Sequence, residues 1–302
     1  MLASTVIYIG SYGSQVTVWP SGDGLPCEQP SFIGMHPRHE VLYAISELAQ
    51  GAVTAFPKEM APQAMATGGS EPCHVAVHPD GDLLVVAHYG DGSIALIRLD
   101  DKGLPVGSPT RHDFGGAAHM VQFDATGRLL VSNLKADRIH RLDRSGQIVG
   151  EVTFAEGSGP RHFGYQEPGQ WFVAFELDGT IGSYQELPDG SWHEVSRLPA
   201  SESGPNYPSH IEAHGGNVYI ANRGPDTISV FAADAEAALT RVGEVSVEGQ
   251  WPRHFALDGD QLLVANQRSD NVAKFRLDKA GLPEFEGDLC RVPSPSCVLI
   301  RP

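Results

Sequence analysis

No run of roughly 18 apolar residues, the length of a membrane-spanning helix, occurs in this 302-residue chain. Basic side chains are scarce: 21 Lys and Arg against 37 Asp and Glu leave a formal charge of -16. That balance opposes nonspecific binding to nucleic acid or to an anionic membrane, so an anionic ligand needs a local cationic pocket. The four cysteines, Cys27, Cys73, Cys290 and Cys297, are far apart and form no C-x-x-C pair. They make a weak case for disulfides or zinc; reduced thiols are expected, with no metal. The segment Met1 to Val6 has no basic region leading into an apolar core, and Val6 to Tyr8 already reads as strand. It is therefore read as lacking a secretory signal, and a cytoplasmic location is expected. Helical periodicity is nearly missing, with Asp234 to Ala238 the one candidate turn of helix. There is no G-x-S-x-G elbow, P-loop, G-x-G-x-x-G after a strand, or H-E-x-x-H helix, and no cofactor is expected.

What is present is a repeat. Pro72-Cys73-His74-Val75, Ala118-His119-Met120, Pro160-Arg161-His162-Phe163, Pro208-Ser209-His210-Ile211 and Pro252-Arg253-His254-Phe255 carry histidines 45, 43, 48 and 44 residues apart. The frame extends back 42 residues to Phe32 and forward 43 to Cys297, making seven units. A period of roughly 40 to 50 residues with four strand-like runs per unit predicts an all-β, seven-bladed β-propeller. Residues 1–302 are expected to form one domain.

The second unit reads as an inner strand from His74 to His78, a Pro79-Asp80-Gly81-Asp82 turn, and strands from Leu83 to Ala87 and Ser93 to Leu99, with a fourth after Gly103. Second strands are predicted at Leu42 to Ile45, Leu129 to Ser132, Trp171 to Phe175, Val218 to Ala221 and Leu262 to Ala265. Ser296 to Ile300 matches an inner strand, while Val6 to Gly10 and Gln15 to Trp19 match a second and a third. The last blade is thus expected to be closed by N- and C-terminal strands, its outermost strand short or missing within Gly22 to Gln29.

Residues that break the repeat are the functional candidates. Before the recurrent histidine stand Ser31, Cys73, Ala118, Arg161, Ser209, Arg253 and Ser296: small or uncharged in five units, arginine in two. Near the ends of the second strands stand Tyr12, Glu47, Tyr89, Leu134, Glu176, Arg223 and Gln267, and Glu176 shares a unit with Arg161. Arg161 and Glu176 read either as an ion pair joining two strands or as an anion clamp with a base. The clamp is preferred because Arg253 adds a second guanidinium in a unit that carries Gln267 in place of the carboxylate, and guanidinium forks match carboxylate and phosphate oxygens. The five histidines read mainly as bonds to backbone at blade junctions. His119, in a small-residue context, is the best exception and His74 the next. Phe175 is an apolar intruder in a polar series and is expected to raise the basicity of Glu176 by desolvation. His36-Pro-Arg-His39 reads as a surface turn.

Gly159-Pro160-Arg161-His162 with Glu176, Trp251-Pro252-Arg253-His254-Phe255, Pro72-Cys73-His74-Val75-Ala76-Val77 and Ala265-Asn266-Gln267-Arg268-Ser269-Asp270-Asn271-Val272 together resemble the propeller-type lactonases. That family includes one class of 6-phosphogluconolactonase and the fungal carboxymuconate-lactonising enzymes. The resemblance runs essentially the whole length. It implies a seven-bladed propeller, lactone chemistry and an active site at Arg161, Glu176, His119 and Arg253, the catalytic candidates here. Ser46, His88 and Phe175 depart from asparagines common in the family.

The expected activity is opening of a sugar δ-lactone, 6-phosphogluconolactone foremost. Glu176 or His119 would act as base, Arg161 and Arg253 would bind the anion, and His74, His210 and His254 would complete the substrate contacts. The alternatives are a lactonising or delactonising enzyme for a muconate-type dicarboxylate and a noncatalytic binding propeller. The expected partner is a small anionic lactone, with no nucleic acid and no membrane, and the chain is expected to work as a monomer or weak homo-oligomer.

Overall fold

The computed structural model describes residues 5–124, 126–166 and 168–301. They form seven four-stranded antiparallel sheets, the number and make-up expected from the repeat. The first three full sheets cover 33–66, 72–113 and 118–153; the next three cover 160–199, 207–246 and 252–291. The seventh places the C-terminal strand Pro295–Arg301 beside Val6–Ser11, Gln15–Trp19 and Asp23–Pro26, so both termini feed one sheet and its outermost strand is present but only four residues long. By contact density the chain divides into two compact units, 1–153 with 301–302, and 154–300.

Within the first unit, Val41–Ser46 and Leu83–His88 are buried at every position, as expected of strands covered on both faces. Tyr43, Ile45, Val75, Leu84 and Val86 share one core between the first two sheets. The second unit repeats the arrangement: Phe172, Ala174, Ile211 and Ile220 pack together, as do Tyr219, Val230, Phe255 and Val264. Burying each such side chain contributes about 1.5–3 kcal/mol. Outer strands such as Pro105–Asp113 carry the exposed residues.

The repeated phrase proves to be a β-bulge. Pairing between the first two strands slips at Pro72/His74, Ala118/Met120, Pro160/His162, Pro208/Ile211 and Pro252/His254. A bulge leaves an extra residue unpaired in the ladder and re-aims its side chain. The residues so presented are Cys73, His119, Arg161, Ser209 with His210, and Arg253. The register also corrects the frame of the third repeat. Ala118 pairs with Asn133 as Pro160 pairs with Phe175, so His119 is equivalent to Arg161 and not to His162.

One further expectation changes. Asp234 to Ala238 is a loop, because the Asp234 carboxylate accepts the N–H groups of Glu236 and Ala238 and satisfies them without a helix. Among the described residues the helical turn is a 3₁₀ turn at Leu134–Ala136. The segment His36 to His39 is a surface bend as expected, with Pro37 to His39 exposed, while the His36 ring is buried beneath it: its Nε2 bonds the Gly81 carbonyl at 2.8 Å, and Nδ1 accepts from the N–H groups of Arg38 and His39.

Candidate active site

The strands Pro160–Gln166, Gln170–Phe175, Tyr207–His214, Asn217–Arg223 and Pro252–Asp258, all of the second unit, present one ionic cluster. Gly159 opens it. Its φ of 66° belongs to the left-handed region, and a Cβ there would meet Leu177 Cγ at 2.4 Å. Its carbonyl accepts the N–H of Glu176 at 2.8 Å, fixing the end of the neighbouring strand beside the bulge that carries Arg161.

Glu176 Oε2 lies 2.8 Å from Nε of Arg161 and 2.8 Å from a terminal nitrogen of Arg223. Both arginines are buried, at 3% and 5% exposure. Each is also anchored to backbone: Arg161 donates to the Ser209 carbonyl, and Arg223 donates to those of Tyr207, at 2.9 Å, and Pro208. Arg253 acts on Glu176 as a third positive charge and is the more open of the three. Burial alone would raise the Glu176 carboxyl. The Arg223 and Arg161 guanidiniums, with Arg253 behind them, outweigh it and hold the group below the ordinary carboxylate range. The basicity-raising role expected of Phe175 is thereby corrected. Its ring packs edge-on against Phe154 at 4.9 Å and under the Arg197 guanidinium at 3.4 Å, and the arginines decide the charge on Glu176.

Beside the arginines lies a group of imidazoles. His162 Nδ1 and His210 Nδ1 are 2.8 Å apart, and the His210 and His254 rings stack with centroids 4.0 Å apart. The expected bond to backbone is seen at His254, whose Nδ1 accepts the Val298 N–H, while His210 is bonded to side chains, His162 and Glu212. Burial, with Arg161 nearby, lowers His210 to about 3, and burial drives His254 well down, so both are neutral at physiological pH. His210 Nε2 in turn lies 3.3 Å from Glu212, whose carboxyl burial raises to about 7.

Arg223 and Glu212 are the residues that sequence reasoning missed. Arg223 was visible as the one basic residue of the series that holds Glu176, one repeat on. Glu212 left no signal beyond its place on an inner strand.

The other candidates lie in the first unit. His74 is buried and stacks on Phe32 at 3.9 Å. His119, 4% exposed, meets the edge of Tyr89, over which Lys135 sits at 4.9 Å. His78, Asp80 and Asp82 also come together in that unit, where Arg144 bonds all three and Arg38 pairs with Asp80, so two guanidiniums balance the two acids.

Comparison with known proteins follows the same lines. The family model described as Lactonase, 7-bladed beta-propeller, matches residues 6–300. A protein of Bacillus subtilis named 6-phosphogluconolactonase is 26% identical, over 89% of this chain and 86% of its own. One of the same name from Formosa agariphila is 29% identical, over 82% and 81%. Among solved structures, a Lactobacillus plantarum protein superposes with a TM-score of 0.88 at 23% identity, covering 99% of both chains. The periplasmic gluconolactonase of Pseudomonas aeruginosa gives 0.87 at 23%, with the same coverage.

Proposed function

Since the chain belongs to the seven-bladed β-propeller lactonase family, we propose that it hydrolyses a sugar δ-lactone, 6-phosphogluconolactone foremost, to the open aldonic acid, as a single propeller domain. The observation that carries this reading is the charge of the site. Three guanidiniums act on one carboxylate, in a chain whose overall charge is -16. Such a surplus of positive charge, two guanidiniums buried and one partly open, suits a ligand that is an anion or becomes one in the transition state.

In the proposed reaction, water adds to the lactone carbonyl, the ring C–O bond breaks, and the departing alkoxide takes up a proton. Arg253, the most open cation, faces the developing oxyanion, while Arg161 and Arg223 are held in place by Glu176. One well-placed donor of this kind is worth about 100- to 1,000-fold. Glu176, stabilised as an anion, is a weak base and serves to fix the arginines. Within the 154–300 unit, Glu212 is a proton acceptor whose ionisation lies near neutrality, with the neutral imidazole of His210 3.3 Å from it. The four free cysteines suit a reducing compartment, and we place the protein in the cytoplasm.

The test is the rate of opening of 6-phosphogluconolactone and gluconolactone by the purified protein, corrected for spontaneous hydrolysis. Opening above background that is lost in Arg253→Ala supports the reading. A rate equal to background for both lactones sets it aside, and muconolactone-type substrates are then the next to be assayed.

A further inference from the structure

Among the exposed arginines of the described residues, Arg98 and Arg268 carry no ion pair, and of these two Arg268 stacks on an aromatic ring. Arg38, Arg111, Arg144, Arg276, Arg291 and Arg301 each pair with a carboxylate. The exposed guanidinium of Arg268 has no ion pair among the described residues and lies instead 3.5 Å over the indole of Trp251. The same indole carries the guanidinium of Arg223, the buried partner of Glu176, at 5.4 Å. Arg268 and Arg223 are therefore within about 9 Å of each other, linked by one aromatic plate.

The plate is held in an unusual conformation. Trp251 has a φ of 63°, rare for a bulky side chain, and is pinned there by its N–H bond to Asp226 at 2.8 Å and by Gln267, whose N–H bonds the Trp251 carbonyl. Backbone strain of this kind costs about 1–3 kcal/mol and persists where surrounding structure enforces it. Here it sets the indole between a buried arginine and an exposed one, with Tyr207, 44% exposed, 6.0 Å from it.

We propose that Arg268, stacked on Trp251, receives the phosphate of a phosphorylated sugar lactone whose carbonyl lies at the buried arginines. This rests on the lactonase reading and narrows it to a phosphorylated substrate. The dimensions agree: with bonds near 1.5 Å, a phosphate on the exocyclic carbon of a six-membered lactone lies about 5–7 Å from the ring carbonyl, within the span between the two guanidiniums. The chemistry agrees as well, because a guanidinium held by an indole keeps its donor edge for phosphate oxygens, which an ion-paired arginine would not.

The test compares kcat/KM for 6-phosphogluconolactone with that for gluconolactone in wild type, Arg268→Ala, Arg268→Lys and Trp251→Leu. It is accompanied by calorimetric binding of the products, 6-phosphogluconate and gluconate. The expected result is a preference for the phosphorylated compounds that falls about 10- to 100-fold in Arg268→Ala. A partial fall is expected in Arg268→Lys, which keeps the charge and loses the planar fork. Trp251→Leu, with Arg268 still present, should lower the same preference, mainly through KM. Opening of both lactones with no preference, or with one unchanged in Arg268→Ala, overturns the proposal and leaves the lactonase reading standing. Arg268-dependent binding of 6-phosphogluconate without turnover supports the phosphate site and removes the activity. Neither binding nor turnover defeats both.

Discussion

Glu176 and Glu212 are two carboxylates of one unit, and their surroundings push them in opposite directions. Glu176 is held by Arg223 and Arg161, so its folded-state ionisation lies below the ordinary value of 4.5. Its contribution to stability is present above 4.5 and is lost only as pH falls through the lower folded value. Glu176→Gln removes that anion and leaves two buried guanidiniums facing a neutral amide. We expect a loss of about 3 kcal/mol in denaturant unfolding at pH 7, the usual cost of breaking a buried pair, together with loss of lactone opening. Unchanged stability would show that the arginines find other partners.

For Glu212 the sign reverses. Its folded value is raised to about 7, so between 4.5 and 7 the folded protein holds a proton that the unfolded chain has given up, and stability falls as pH rises through that window. Glu212→Gln removes the penalty, and its melting temperature should exceed that of wild type by more at pH 8 than at pH 5. The groups around it are His210, His214 and the Leu257 N–H, with Arg161, His162, His254, Arg253, Arg223 and Glu176 on the adjoining elements. A difference independent of pH would mean that Glu212 titrates like an ordinary carboxylate.

At the scale of the element, the bulge connects the repeat to the chemistry. Its recurrence made the fold legible, because a phrase that must place one unpaired residue at the start of each inner strand leaves a fixed mark in the sequence. For the same reason Arg161 and Arg253 could be picked out as deviations. His119 was chosen too, but in the wrong frame: without a proline before it, only the ladder pairing of Ala118 with Asn133 shows which residue is bulged. The link from Arg223 to Glu176 stayed hidden because it joins neighbouring sheets, and a comparison of equivalent positions ranks residues without saying which of them meet. Glu212 stayed hidden because its unusual ionisation comes from burial and not from residue type. Gly159→Ala tests the element directly. The left-handed φ should cost about 1 kcal/mol, while Leu177, half exposed, can give way. Because Arg161 sits two residues on, kcat/KM should fall more than the modest loss of stability accounts for. A change in stability alone would show that the bulge holds Arg161 without this glycine.

Over the whole molecule, two electrostatic trends oppose each other as pH falls. Acid reduces the self-repulsion of a chain carrying -16, which favours the compact state. Acid also tries to charge buried imidazoles: His36, His88, His140, His210 and His254 are all lowered from 6.5, with burial the leading cause in each. A histidine whose folded value is depressed contributes its full stability above 6.5 and loses it as pH falls toward that folded value. A tenfold weakening of proton binding on folding corresponds to about 1.4 kcal/mol; His210, lowered to about 3, offsets the gain from protonating Glu212, and the other lowered imidazoles outweigh the relief of repulsion between exposed, salt-screened charges. Stability measured by denaturant unfolding should therefore decline from pH 6.5 downward, at low and at moderate salt alike, and less steeply in His210→Asn. A stability maximum near pH 5 would mean instead that surface repulsion governs the molecule and that the imidazoles take up protons without opening the fold.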